Sequence, residues 1–200
     1  MWKGIKNLAA VFLFILAEAC IVAGAGSYIL WKSQGFDDAK NNMKEIASLI
    51  QNEMKRFPVA RTYIDEVSYQ DTYNVQRENG SHNGCDIMDL KNQAGRIPVI
   101  SATDGVVSNL GWLYLGGYRI GITSESGIYY YYAHFDSFAA NICVGKEIKA
   151  GELLGFMGNT GEGGEGTKGK FDVHLHFGIY VDINGDEETV NPYSYLTRVE

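Results

Sequence analysis

A mainly β fold, a compact antiparallel sheet domain over residues 60–200 preceded by a transmembrane helix and a helical stalk, is predicted by three observations in this chain. From about residue 85 onward the polar–apolar pattern repeats every second residue. Turn dipeptides punctuate that region at Asp104-Gly105, Ser126-Gly127, Gly158-Asn159 and Asn184-Gly185. The first 57 residues carry different signals, an apolar run interrupted only by Glu18 and then apolar residues three and four apart.

Residues 1–7 read as a short cytoplasmic end, because Lys3 and Lys6 precede the apolar run and positive charge favours the cytoplasmic side. Residues 8–31 read as the anchor. Glu18 is the only charge between Leu8 and Trp31, and a helix of that length spans roughly 36 Å, enough for a bilayer core. The alternative is a cleaved signal peptide ending near Ala23-Gly24-Ala25, but the run is longer than such segments usually are. Either way the remainder is expected outside the cytoplasm, on a single-pass anchor or secreted.

Residues 32–59 read as a helical stalk. Met43, Ile46, Ala47, Ile50, Met54 and Phe57 form an apolar stripe within residues 37–57, and Pro58 ends it. Such a stripe either docks a protein partner or packs on its own domain. Charge separates the two parts of the chain. Residues 1–56 hold seven Lys or Arg against five Asp or Glu, and residues 57–200 hold ten against nineteen. An acidic domain repels phosphate backbones, so nucleic acid is not an expected partner.

Within the β domain, Ile128, Tyr130, Tyr132 and His134 fall on one face of a strand and Tyr129, Tyr131 and Ala133 on the other. The tyrosine run offers stacking surface for glycan rings or is simply a strand covered on both faces. Asp182-Ile183-Asn184-Gly185-Asp186 has a faint calcium-loop look, but Asn-Gly between strand-like residues favours a two-residue hairpin. Residues 161–170, rich in glycine, form either a groove wall or a solvated excursion, the latter being favoured by composition.

All four histidines lie in three short strings: Ser81-His82-Asn83-Gly84-Cys85-Asp86, Tyr132-Ala133-His134 and His174-Leu175-His176. Residues two apart on a strand share a face, so His174 and His176 face one pocket with Leu175 behind them. His82 and Asp86, four apart around Gly84, can close on one ion. A catalytic zinc takes a few imidazoles or carboxylates and keeps one position for water, while further imidazoles move protons. A closed structural zinc site would call for several thiolates, and only Cys85 and Cys143 lie in this domain. Alternation turns Cys85 away from Asp86, as a small buried residue; a disulfide to Cys143 is the less favoured alternative.

His82-Asn83-Gly84-Cys85-Asp86, Tyr132-Ala133-His134-Phe135 and His174-Leu175-His176-Phe177 resemble the H-x-x-x-D, Y-x-H and H-x-H signatures of the lysostaphin and LytM-type zinc endopeptidases, which cut peptide bonds in bacterial peptidoglycan. The resemblance runs over about residues 80–194 and includes Ile97-Pro98-Val99, Ala102-Thr103-Asp104-Gly105 and Gly158-Asn159-Thr160-Gly161. It implies one Zn²⁺ held by His82, Asp86 and His176. It implies His174 as general base and His134 as stabiliser or proton donor, on a peptidoglycan peptide substrate. Some proteins resembling this family serve instead as wall-binding or partner-docking scaffolds, which is the alternative expectation for this ectodomain.

Overall fold

The computed structural model describes residues 42–200 except Asn79 and Asn184. The expected cytoplasmic end, the apolar segment 8–31 and the stalk residues up to 41 lie outside the described residues. No helix among the described residues is long and apolar enough to cross a membrane.

Helix α1 covers residues 42–53, a 3-10 helix covers Arg61–Glu66, and α2 covers Tyr193–Val199 at the C-terminus. Twelve strands lie between them: β1 Val67–Tyr69, β2 Gln76–Arg77, β3 Gly80–Ser81, β4 Cys85–Asp89, β5 Pro98–Ile100, β6 Gly105–Leu113, β7 Gly117–Thr123, β8 Tyr129–Phe138, β9 Glu147–Ile148, β10 Leu153–Met157, β11 His174–Ile183 and β12 Asp186–Val190. Every pairing between them is antiparallel. The main sheet runs β1-β4-β11-β8-β7-β6-β9, with β12 added on β11 and β10 joining β8 to β5, while β2 and β3 form a separate ribbon. The predicted fold class of the domain is thus the observed one.

The compact unit extends from Ser48 to Glu200. Its core lies on one face of the sheet, where Ile87, Ile120, Ile122, Tyr130, Tyr132, Phe177 and Ile179 are fully buried. Ile50, Met54 and Phe57, the last three residues of the apolar stripe, are buried as well. Each such burial contributes about 1.5–3 kcal/mol. Arg198 of α2 donates to the backbone carbonyls of Gln51 and Met54, tying the end of α1 to the C-terminus. From Ile50 onward the stripe is therefore used inside the domain.

The other face of the same strands is built for access. Tyr129 and Tyr131 alternate with buried Tyr130 and Tyr132, and Tyr180 stands opposite Tyr129 in register. The alternation predicted for β8 holds only as far as Ala133. His134 takes a φ of +67°, and the pairing with β7 shifts register between Tyr118 and Ile120. This is a β-bulge, in which one extra residue turns the chain. His134 consequently leaves the core face shared by Ile128, Tyr130 and Tyr132, and Phe135 becomes the next fully buried side chain.

At the β11–β12 end, Ile183 pairs with Asp186 and the Gly185 amide donates to the Asp182 carboxylate at 2.7 Å, as a hairpin requires. Cys85 and Cys143 are both free thiols. The buried Cys85 thiol donates to the Gln70 carbonyl at 3.1 Å, and burial pushes its pKa up to about 12.

Candidate metal centre

The site is assembled by two neighbouring strands and the loop before them. In the β4–β11 pairing Asp86 lies directly opposite His176, so a carboxylate and an imidazole face each other at adjacent-strand distance. His82, just before β4, closes the third corner. The chain can turn between His82 and Asp86 because Gly84 has no side chain: a Cβ there would sit 2.6 Å from the Phe177 carbonyl oxygen and 2.7 Å from the His176 ring.

Three donor atoms converge. His82 Nε2 is 2.9 Å from His176 Nδ1 and 3.0 Å from Asp86 Oδ1, and His176 Nδ1 is 3.1 Å from Asp86 Oδ1. An ion about 2.0–2.2 Å from each nitrogen and oxygen fits over a triangle with such edges. Two imidazoles and one carboxylate are a zinc-type donor set, and three protein ligands leave a position open. The residues present therefore fit one Zn²⁺.

Hydrogen bonds fix which ring nitrogens face the site. A carbonyl can only accept, so Nδ1–H of His82 donates to Thr72 at 2.8 Å, that of His134 to Thr160 at 2.8 Å and that of His174 to Asp172 at 2.7 Å. Each of these rings in its neutral form then presents an unprotonated Nε2. Outer-shell partners of this kind orient metal-site histidines. Beyond the triangle, His174 Nε2 stands 3.8 Å from Asp86 Oδ1, and the His134 and His174 rings lie 4.6 Å apart. Phe171 packs against both, at 4.7 and 5.1 Å.

Burial dominates the electrostatics. It lowers the His134 pKa to about 3, aided by the neighbouring His174 and His176. For Asp86, burial pushes the carboxyl up, but the imidazoles of His176, His82 and His174 around it outweigh that, each able to meet it as a cation, and hold it far below the usual carboxylate range. Arg77 also donates to Asp86 Oδ2 at 2.5 Å, leaving Oδ1 as the oxygen that meets the two histidines.

The five residues singled out in the sequence, His82, Asp86, His134, His174 and His176, are thus brought together. The sequence did not point to Thr72, Thr160 or Asp172, whose contribution is a backbone carbonyl and carries no side-chain signature. Nor did it point to Arg77 and Phe171, which lie outside the histidine strings.

The centre opens into a groove of about 980 Å³ whose lining includes Tyr129, Tyr131 and Tyr180. The exposed tip Leu113-Tyr114-Leu115 and Glu162 contribute to its lining. The glycine-rich segment is tied to that tip: Glu162 and Gly163 amides donate to the Leu115 and Tyr114 carbonyls, and the Trp112 indole donates to Gly163. Thr160 and Lys168 form a β-bridge across its base. Its first residues are thus bonded to the groove rim, with Glu162 in the lining, while residues 164–166 and 168–170 are exposed, as the solvated excursion favoured by composition expects.

Comparisons with known proteins agree with this arrangement. The model of Peptidase family M23 matches residues 80–192. The L-Ala–D-Glu endopeptidase of Bacillus subtilis (strain 168) is 38% identical over 138 residues, covering 68% of this chain and 41% of that protein. The glycyl-glycine endopeptidase ALE-1 of Staphylococcus capitis is 31% identical over 101 residues, covering 50% of this chain and 25% of that protein. This chain therefore spans less than half the length of either relative. A crystal structure from Ruminococcus gnavus ATCC 29149, described as a LytM-type glycyl-glycine endopeptidase, superposes with a TM-score of 0.69 at 48% identity, covering 74% of this chain and 61% of that one. With more than half of its length matched by the family model, and the matched part containing every donor of the centre, the chain belongs to Peptidase family M23.

Proposed function

We propose that this protein is a membrane-anchored zinc endopeptidase that hydrolyses peptide bonds in the stem peptides or cross-bridges of peptidoglycan, with its catalytic domain outside the cytoplasm. The observation that carries the reading is the convergence of His82, Asp86 and His176 within 3.1 Å, with His174 and His134 beside them at the end of an open groove. Family membership and the relatives that cut L-Ala–D-Glu and glycyl-glycine bonds support the substrate class.

When bound, Zn²⁺ supplies Lewis acidity to a carbonyl oxygen and acidifies water in its open position. The chain's own residues do the rest. His174, held by the Asp172 carbonyl with Nε2 toward the site, takes the proton of the attacking water. His134 is neutral because burial disfavours its cation and presents an unprotonated Nε2; once that nitrogen has taken up, by way of His174, the proton lost by the attacking water, it supports the charge on the carbonyl oxygen and passes the same proton to the departing amine. Arg77 keeps Asp86 in one orientation through its outer oxygen. Peptide seats along the tyrosine-lined floor with Leu113, Tyr114 and Glu162 at its side.

The test is release of new amino termini from purified peptidoglycan by the full chain, by His174→Ala and by a zinc-stripped sample. The intact chain releases them, His174→Ala does so at least about a hundredfold more slowly, and the stripped sample recovers on adding Zn²⁺. Equal, near-zero release by all three, with wall binding retained, would overturn the reading in favour of a scaffold.

A further inference from the structure

Consecutive residues of one short segment hold three rings. The Gly158 carbonyl accepts the His174 amide at 3.1 Å, the Asn159 side chain donates to the Phe171 carbonyl at 3.2 Å, and the Thr160 carbonyl accepts Nδ1–H of His134 at 2.8 Å. From the other side Asn92 donates to the Asp172 carboxylate at 2.9 Å and accepts the Val173 amide at 2.7 Å. Every residue from 171 to 174 is thereby tied to the body of the domain.

The Phe171 side chain is half-buried and set against the two histidines that handle protons. Its ring meets that of His134 at 4.7 Å and 66° and that of His174 at 5.1 Å and 59°, and the two imidazoles lie 4.6 Å apart at 55°. The three rings close a triangle. No ring contact joins Phe171 to His82 or His176, and Phe171 does not line the groove.

Each of the two imidazoles donates one hydrogen bond, from Nδ1, and histidine χ2 is a broad, weakly restrained torsion. One fixed atom leaves the ring plane free to swing. Packing on an aromatic neighbour restrains the plane, and in this triangle Phe171 is the member that carries no proton of its own. The relay from His174 to His134 needs both planes held, because proton transfer requires hydrogen-bond reach in a set geometry.

We propose that Phe171 is a positioning residue of the reaction, its ring holding the imidazoles of His134 and His174 side by side while touching neither the metal donors nor the peptide. The role rests on the peptidase reading and adds to it a residue that acts only through the two proton-handling rings.

The zinc-loaded full chain is compared with Phe171→Ala, Phe171→Leu and Phe171→Tyr on soluble muropeptides prepared from peptidoglycan, with kcat, KM and zinc content read for each. Phe171→Ala keeps its zinc and a KM within about threefold of the parent, and its kcat falls about tenfold to a hundredfold, the size of effect that a misplacement of about 1 Å brings. Phe171→Leu, a milder loss of packing, shows the same split at smaller size and carries the test should the alanine variant fail to fold. Phe171→Tyr keeps the ring and returns kcat to within about threefold of the parent. Added to His134→Ala, Phe171→Ala costs less than it does alone, since one of the rings it holds is gone. An unchanged kcat in Phe171→Ala, a loss that falls on KM or zinc content instead, or a Phe171→Tyr as slow as Phe171→Ala overturns the role. Muropeptides left intact by the parent overturn the peptidase, and the role with it; a parent and Phe171→Ala that cut equally fast overturn the role alone.

Discussion

Strands β11 and β8 run side by side and both deliver histidine to the groove, by opposite means. In β11 the regular pleat places His174 and His176 on one face with Leu175 buried behind, and the pairing with β4 sets His176 against Asp86. In β8 the residue opposite His176 is Ala133, and His134 reaches the site only through a bulge and a φ of +67°. A left-handed conformation at a residue with a side chain costs about 1–2 kcal/mol. The strand that carries the converging donor His176 is unstrained there, whereas the strand that carries His134 has a strained residue at that position, the kind of place where such strain commonly gathers.

The largest effect that tests this division is on metal content. His176→Ala is expected to lose the ion and to reduce peptide hydrolysis at least about a thousandfold, whereas His134→Ala loses about a hundredfold or more and keeps its zinc. Metal analysis of the two purified variants beside their rates checks it; loss of zinc from His134→Ala would end the separation of holding from aiming.

Glycine sharpens the contrast. At position 134 it relieves the left-handed strain, so His134→Gly is more stable than His134→Ala by about 1 kcal/mol. In the pleated strand the sign reverses: His174→Gly is less stable than His174→Ala by about 1 kcal/mol, since glycine weakens a strand interior. Denaturant melts of the metal-free proteins compare them, and two losses of similar size would show that the bulge stores no strain.

The smallest effect is in acid. The folded pKa of His134, about 3, lies below the ordinary value of 6.5, so between these limits the unfolded chain binds the extra proton. Stability from this group is complete above about pH 6.5 and is lost as pH falls toward 3, at up to about 1.4 kcal/mol per unit. Metal-free His134→Gln should show a shallower loss over that window; curves of equal slope would mean that the ring is not held neutral by burial.

The same two strands explain what was legible in the sequence. Alternation in His174-Leu175-His176 carries a face assignment, because a regular pleat has no other option. The identity of His134 was legible and its face was not, since a bulge is a decision of the backbone about which side-chain period says nothing. The carbonyls of Thr72, Thr160 and Asp172 that orient the rings are equally silent. Periodicity marked Ile50, Met54 and Phe57 as apolar without saying what would cover them. Composition marked residues 161–170 as pliant because glycine is, although the bonds that hold Glu162 and Gly163 are made by main-chain groups that every residue possesses.

Those main-chain bonds have a consequence for the rim. A rim secured through amides and carbonyls keeps its shape whichever side chains it bears, so Tyr114, Leu115 and Glu162 can be exchanged without refolding the edge they form. The outline of that edge is therefore set independently of the side chains that decorate it and of the five inner residues.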